Sequence, residues 1–529
     1  MLNARYKNRR PISCAQATAP LGRPGARSVN YMPEDTTRND RTYAPAQIEK
    51  HGSPGASLSF AKTAMKGLHP LTNTEMNSQL YSYEQSVKAR FDAIEPVLKQ
   101  IISLQNDYDF ETRVKQLVNE RLGFDISSTL VADFRAKKID MGRLYAWCLF
   151  ETYKQYCNSF LSDFPSGTNH DDFQSFLQDC GIHTFDISPC ADGRLAHVIS
   201  YVLRLPYRSV RRKSYAGAMF DIEDSLDKWV ETEMIRFRQG VSDINKGSPA
   251  RYLKAVVYHY SSRDPDNEGC AAHGSNAALA AESGMQRLKA FRQAVENTYC
   301  CGASIDQLLI GLDTDTDVIR IHEPNELGDI DLDDFIDSEE IFYATQKMEK
   351  DAAKKWILDF VEARTLHDGM LKLIAALLIN NISQIDYVKS YHGGCYQDIG
   401  HAERFIGAGI GFEEVQLRNL TYFSYLNTVE EAANDLDVGI KIFTKLNVSR
   451  GLPVPVVVRY DYHGNVPGAR ERAIEHCHRV SSALSNRYKD LESQGLLHTL
   501  MVMKDVNQAT PIEILGCSIT MQATQEAHR

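Results

Sequence analysis

The sequence has no apolar run long enough to cross a bilayer. The longest, LIAALLI at residues 373–379, falls far short of the ~20 residues that a span requires. The first residues hold no apolar stretch of the kind that directs secretion, so no secretory leader is expected. A paired cysteine framework is also missing. The 11 cysteines are odd in number and scattered over 529 residues, which predicts an intracellular chain with mostly reduced thiols. Excess positive charge is lacking too: the formal net charge is −10, which argues against a nucleic-acid binder. What is present suits a multidomain globular protein, with 43% hydrophobic residues, 24% charged residues and length for about three domains.

Residues 1–57 stand apart, rich in Pro, Gly, Ser, Asn and Arg and without apolar periodicity. Up to Asn30 they carry Arg5, Lys7, Arg9, Arg10, Arg23 and Arg27 and no acidic residue. Such a segment buries too little apolar surface to offset its ordering entropy, so a disordered basic arm is expected. It reads as a tether for an acidic partner, as a solvated tail, or as a transit peptide, the last without an amphipathic helix to support it.

Residues 58–165 read as a helical domain. SYEQSVKARFDAIEPVLKQIISLQ, FETRVKQLVNERLG and IDMGRLYAWCLFETYKQYCNSFL repeat apolar residues at three and four. Cys148 and Cys157 lie among aromatics there and read as plain core residues. Residues 166–401 alternate strands and helices, which predicts an α/β domain with a partly parallel sheet. The strands are HTFDIS (183–188), YLKAVVYHY (252–260) and SIDQLLIGL (304–312). The helices are DIEDSLDKWVETEMIRFRQGV and SNAALAAESGMQRLKAFRQAVEN, the second capped by Ser275 or Asn276. The acidic run at 329–340 lacks the glycine and terminal glutamate of a calcium loop and reads as a solvated helix start. DTDTD (313–317) reads as a polar turn after a strand. Residues 402–529 have mixed α/β texture, with VGIKIFTKL (438–446) and LPVPVVVRYDY (452–462) as strands and ARERAIEHCHRVSSALSNRYKDLES as a helix.

Chemistry concentrates in DISPCADGRLAH, residues 186–197. A cysteine at a strand end projects its thiolate into a cleft, and thiolates are good zinc ligands. The ligand candidates are Cys190, His259 and Cys270, each at a strand end or helix start. Three protein ligands leave one tetrahedral position for water, the layout of a catalytic zinc. His273 competes, because Cys270 and His273 form a C-x-x-H pair, and spacing alone does not choose between His259 and His273. The adjacent Cys300 and Cys301 point apart in an extended chain and read as core residues or neighbours of the site. In an extended stretch, positions 190, 192 and 194 project to one side. Asp192 would then orient a zinc-held water while Arg194, through its planar fork, keeps that carboxylate off the metal. The plainer reading is a surface turn with an exposed ion pair.

DISPCADGRL carries C-x-D-x-R, and this resembles the signature of β-class carbonic anhydrases. With YAGAMFDIEDSLDKW, GCAAHGSN, CCGASIDQLLIGLDTDTD, LLINNISQIDYV, DIGHAER and the SRGLPVP region, the chain from roughly 65 to 515 resembles a narrower family, the carboxysome shell (ε-type) carbonic anhydrases. The resemblance implies a β-carbonic-anhydrase-like catalytic domain with a degenerate α/β C-terminal copy. It implies one Zn2+ per chain on Cys190, His259 and Cys270, with His273 excluded, and the dyad on Asp192 and Arg194. It also implies proton transfer by His401, whose plainer reading is a helix-start histidine in an ion-pair cluster with Glu403 and Arg404. CO2 and bicarbonate are the implied substrates, the carboxysome the implied location, and a homodimer or larger homo-oligomer the implied assembly. Rubisco or shell proteins are the implied partners of the arm, and CO2 supply to Rubisco the implied role. The spacing of His259 and Cys270 departs from the H-x-x-C of ordinary β-class enzymes. Two other classes remain. A zinc-stabilised scaffold would close the site with His273 or Cys301. A zinc deaminase would need H-x-E with P-C-x-x-C, but Gly193 stands where the second cysteine belongs and no glutamate follows His259.

Overall fold

The computed structural model describes residues 67–136, 140–159, 170–206, 209–238, 251–299, 305–425, 433–508 and 510–519. The expected arm at 1–57 and the Cys300–Cys301 pair lie outside the described residues. Strands β1 (Ile182–Pro189), β2 (Arg211–Arg212), β3 (Arg251–Tyr260), β4 (Ile305–Asp313), β5 (Ile319–His322) and β6 (Ile336–Asp337) form one sheet in the order β2-β1-β3-β4-β5-β6. The first four are mutually parallel, and β5 turns back antiparallel. A second sheet takes β7 (Phe405–Gly409), β8 (Thr421–Ser424), β9 (Val454–Arg459), β10 (Leu497–Met503) and β11 (Glu513–Cys517) in the order β11-β10-β9-β7-β8. Taken from β8 it repeats the first sheet: β8-β7-β9-β10-β11 matches β2-β1-β3-β4-β5, with the same parallel pairings and an antiparallel last strand.

The central strands are continuous apolar runs because helices cover the first sheet. From Tyr252 to Tyr260 every residue of β3 is buried, and each fully buried Val or Leu contributes ~1.5–3 kcal/mol. Helix Ala277–Tyr299 lies against β3 and β4. It approaches closely at Gly284, where a Cβ would stand 2.9 Å from Leu309 Cδ1. Asn276, rather than Ser275, caps this helix by accepting the Leu279 N–H at 2.9 Å.

The helical region begins with helix Thr74–Asp92, capped by Asn73, whose side chain accepts the Met76 N–H. Helix Phe110–Leu122 ends at Gly123, which takes φ +79°. Helix Met141–Ser159 is buried from Leu144 to Phe150, and its apolar cluster continues into Val457, Leu500 and Val502 of the second sheet. Burial therefore holds the Cys148 and Cys157 thiols well above their ordinary range, as core residues. Among the described residues no helix is long and apolar enough to cross a membrane.

Two sequence expectations need correction, and that for DTDTD holds. VGIKIFTKL is not a strand: it lies in helix Ala433–Leu446. Leu436, Ile440 and Phe443 form its buried face, while Lys441 and Lys445 stay exposed. The second sheet needed a helical cover here, and that packing outweighs the local β-propensity. DTDTD is the polar turn expected after β4, and its carboxylates are bonded inside the fold. Asp315 accepts bonds from Ser261 and the Arg263 N–H, and Asp317 from Tyr396 and Gln384, with His197 at 2.8 Å. The acidic run at 329–340 ends in β6 and then in Asp337, which caps helix Ser338–Thr345, so only its last residues start a helix.

A buried ion network holds the second sheet to the helical region. Arg459, at the end of β9, grips Glu414 at 2.7 and 3.0 Å and Asp461 at 2.8 and 3.0 Å, and donates to Tyr153 Oη at 3.0 Å. Removing one partner of a buried pair leaves an uncompensated charge. Glu414→Ala is expected to destabilise the chain by ~3–5 kcal/mol, read as a lowered midpoint of thermal unfolding.

Candidate metal centre

Strand order reverses between β1 and β3, so a crevice opens at their carboxyl ends. Cys190 is the first residue past β1, and its N–H bonds Val257 O at 3.2 Å. His259 is the penultimate residue of β3. Cys270 precedes the short turn Ala271–His273, folded back so tightly that a Cβ on Gly269 would stand 2.5 Å from Ser275 O. These crossings bring together residues far apart in sequence. The Cys190 and Cys270 sulfurs lie 4.0 Å apart, and one donor atom from each of Cys190, His259 and Cys270 falls within 4.8 Å of the others. All three residues are buried.

The trio suits a soft divalent cation. Neither ring nitrogen of His259 has a hydrogen-bond partner, a costly state for a buried imidazole unless a ligand occupies it. A tetrahedral zinc with ~2.3 Å Zn–S bonds places two sulfurs ~3.8 Å apart, close to the spacing present. The two sulfurs lie within hydrogen-bond distance of each other. The bond from Cys190 holds the Cys270 sulfur below its ordinary pKa, with the Ala272 and His273 amides assisting, while that same bond and burial push Cys190 well above its own. A dication held here would bind both as thiolates and release their protons.

Asp192 stands beside the trio, with Oδ2 3.6 Å from His259 Nε2. Arg194 holds it by a two-point fork, Nε to Oδ1 at 3.0 Å and Nη2 to Oδ2 at 2.7 Å. The remaining donors of Arg194 bond Glu268 O, Gly269 O and Ile399 O, so the same guanidinium fastens the loop leading to Cys270. Burial works against the Asp192 charge, but Arg194, His401 and His259 outweigh it and keep the carboxyl well below its usual range. The dyad is buried, not an exposed surface pair. Nor does extended alternation create it. Residues Gly193–Leu195 form a 3-10 turn, and Asp192 caps it by accepting the Arg194 N–H at 2.9 Å.

His401 is not at a helix start but in the segment before β7. Its Nδ1 bonds Glu403 Oε1 at 2.9 Å and its Nε2 lies 3.8 Å from Asp192 Oδ2. Arg404 does not join this cluster and pairs with Asp92. Burial disfavours the charged ring, but Asp192 and Glu403 overcome it and raise His401 to about 9. The ring lines a cleft of about 490 Å³ whose other wall carries Lys441 and Lys445. His273 is turned away, with Nε2 3.4 Å from Gly217 O. Sequence reasoning paired Glu403 with His401 in an ion-pair cluster, as found, but gave it no part in the chemistry. Its only signal was its place two residues after His401.

The second sheet shows what became of the same positions there. Pro189 pairs with Val257 and Gly409 with Arg459, and the next N–H bonds the partner's carbonyl in both cases. Ile410 therefore corresponds to Cys190, Phe412 to Asp192 and Glu414 to Arg194. Each copy then makes a 3-10 turn, Gly193–Leu195 and Glu413–Val415. Asp461 corresponds to His259. No thiolate or imidazole remains at these positions, so the second copy cannot build this centre.

Three family models match in succession: "Carboxysome Shell Carbonic Anhydrase, N-terminal" over residues 69–161, "catalytic domain" over 172–401 and "C-terminal" over 402–519. Among curated relatives, a protein of Prochlorococcus marinus (strain MIT 9313) is 50% identical over 477 residues, covering 89% of this chain and 92% of its own. One from Parasynechococcus marenigrum (strain WH8102) is 49% identical over 504 residues, covering 93% and 87%. A more distant one, from Halothiobacillus neapolitanus (strain ATCC 23641 / c2), is 44% identical over 466 residues, covering 84% and 89%. Each is named carboxysome shell carbonic anhydrase.

Proposed function

Since the chain belongs to the carboxysome shell carbonic anhydrase family, we propose that it interconverts CO2 and bicarbonate on one zinc ion held by Cys190, His259 and Cys270. The observation that carries this reading is the meeting of two thiols and an unpartnered buried imidazole within 4.8 Å. When bound, zinc supplies Lewis acidity that lowers the pKa of water from 15.7 to about 7, a value known from carbonic anhydrases with three histidine ligands. Asp192 accepts a hydrogen bond from the attacking water and aims its lone pair at the carbon of CO2. Arg194 keeps both Asp192 oxygens occupied, so the carboxylate stays ionised and off the metal.

Hydration releases one proton and dehydration consumes one. His401 handles it, with Nε2 toward Asp192 and its ring on the cleft. Raised to about 9, the ring is charged at neutral pH and suits the donor needed for bicarbonate dehydration. That direction fits a supply of CO2 to Rubisco inside the carboxysome. The homodimer and the pairing of the basic arm with Rubisco or shell proteins rest on the family and on the arm's charge.

The test is stopped-flow proton release after mixing zinc-loaded protein with CO2. Fast release is expected. In weak buffer His401→Ala should lose about 10²-fold in kcat, with recovery on adding imidazole. Release at the uncatalysed rate, with one zinc still bound per chain, would favour the scaffold reading. A structural site closes with four protein ligands. Against that, His273 faces Gly217 O, and among the described residues no fourth ligand joins the trio.

A further inference from the structure

We propose that Glu403 is a positioning residue for proton transfer: one of its oxygens holds His401 in the tautomer that presents Nε2 to Asp192, and also fixes the turn that carries Asp192. The proposal rests on His401 being the shuttle, as read above. Glu403 Oε1 takes two contacts, His401 Nδ1 at 2.9 Å and the Gly193 N–H at 3.0 Å. The side chain is fully buried. The Gly193 N–H donates to Oε1, which marks this oxygen as an acceptor, so the proton between it and the ring sits on Nδ1. Nε2 is then the atom that gains and loses the exchanged proton, and it faces Asp192 Oδ2 at 3.8 Å.

The second contact ties this tautomer to the dyad. Gly193 lies between Asp192 and Arg194, and a Cβ there would stand 2.4 Å from Glu403 Cγ. Only glycine admits so close an approach. The carbonyl of Gly193 accepts the Asn419 N–H at 2.9 Å, and the carbonyl of Ala191 accepts the Phe423 N–H at 3.0 Å. Backbone groups on both sides of Asp192 are therefore held by residues of the C-terminal family match, 402–519, to which Glu403 itself belongs. The half without these ligands positions the dyad and the shuttle of the other.

The experiment compares zinc-loaded full-length Glu403→Gln and Glu403→Asp with His401→Ala and the native chain. Glutamine keeps the size of the side chain, but its amide can donate to Nδ1 and admit the opposite tautomer. In weak buffer Glu403→Gln should lose about 10-fold in kcat at unchanged KM, with zinc content intact and recovery on adding imidazole. Glu403→Asp retains the charge and should fall between Gln and native. Recorded above pH 9, where the ring is neutral, the nitrogen resonances of 15N-histidine-labelled protein should place the His401 proton on Nδ1 in the native chain and shift it toward Nε2 in Glu403→Gln. An unchanged Nδ1–H signal in Glu403→Gln would overturn the positioning role whatever the activity. Full kcat in Glu403→Gln with an impaired His401→Ala would overturn it while leaving the shuttle intact. Full kcat in His401→Ala would overturn the shuttle and the proposal together.

Discussion

Cys270→Ser and Cys190→Ser are each expected to lose bound zinc and, with it, nearly all CO2 hydration. Serine keeps the shape of cysteine but not its chemistry, because its hydroxyl does not ionise near neutral pH and so offers no anionic donor. Among the described residues none stands free to replace the lost thiolate, since Arg194 already grips Asp192. The trio is buried, and His273 faces away. Loss of an outer-shell partner alone costs about 10–100-fold in metal affinity, so loss of a ligand should exceed that. The check is zinc per chain after dialysis against a competing chelator, with turnover measured on the same samples. About one zinc in the native chain and almost none in either variant is the expected result. A variant that kept stoichiometric zinc and full turnover would move the centre away from these cysteines.

Asp192→Asn is expected to lower kcat by about 10²-fold or more while zinc remains at one per chain. An amide has the size of the carboxylate but cannot hold its charge, and it can turn a donor toward the attacking water. Asp192→Ala tests the same point with a larger structural effect. It removes the two-point partner of the buried Arg194 guanidinium and leaves only the longer pair with Glu268 at 3.6 Å, and breaking a buried pair costs up to ~3–5 kcal/mol. Its unfolding midpoint should fall, and the midpoint of Asp192→Asn should fall less. Stopped-flow rates, zinc content and thermal unfolding on both variants separate loss of chemistry from loss of fold. Native turnover in Asp192→Asn would remove the carboxylate from the reaction.

The strands β3 and β4 were legible because buried parallel strands are short apolar runs, and YLKAVVYHY and the LLIGL of SIDQLLIGL are such runs, whereas HTFDIS, read as β1, alternates Phe and Ile with polar residues. VGIKIFTKL misled for the same reason: its apolar content suits a strand, and only its neighbours reveal a helical face. Of the second sheet only LPVPVVVRYDY was recognised. FIGAG, TYFS and EILGC are too short or too rich in small residues to signal a strand alone.

The sequence by itself determined the donor chemistry. Two thiols and an imidazole at element ends, and a carboxylate two residues from an arginine, are properties of side-chain type and short spacing, which act locally. Spacing left open which donors meet; the family resemblance named them, and only the tertiary structure brings them together. Cys190 and Cys270 are separated by 80 positions, and a choice such as His259 over His273 depends on where β3 ends beside β1. The same holds for the buried DTDTD turn, for the repeated strand order whose second copy puts Ile410 where Cys190 stands, and for Glu403. That residue touches Gly193 across 210 positions. No local propensity encodes such a contact; it exists because two α/β halves bury their surfaces against each other.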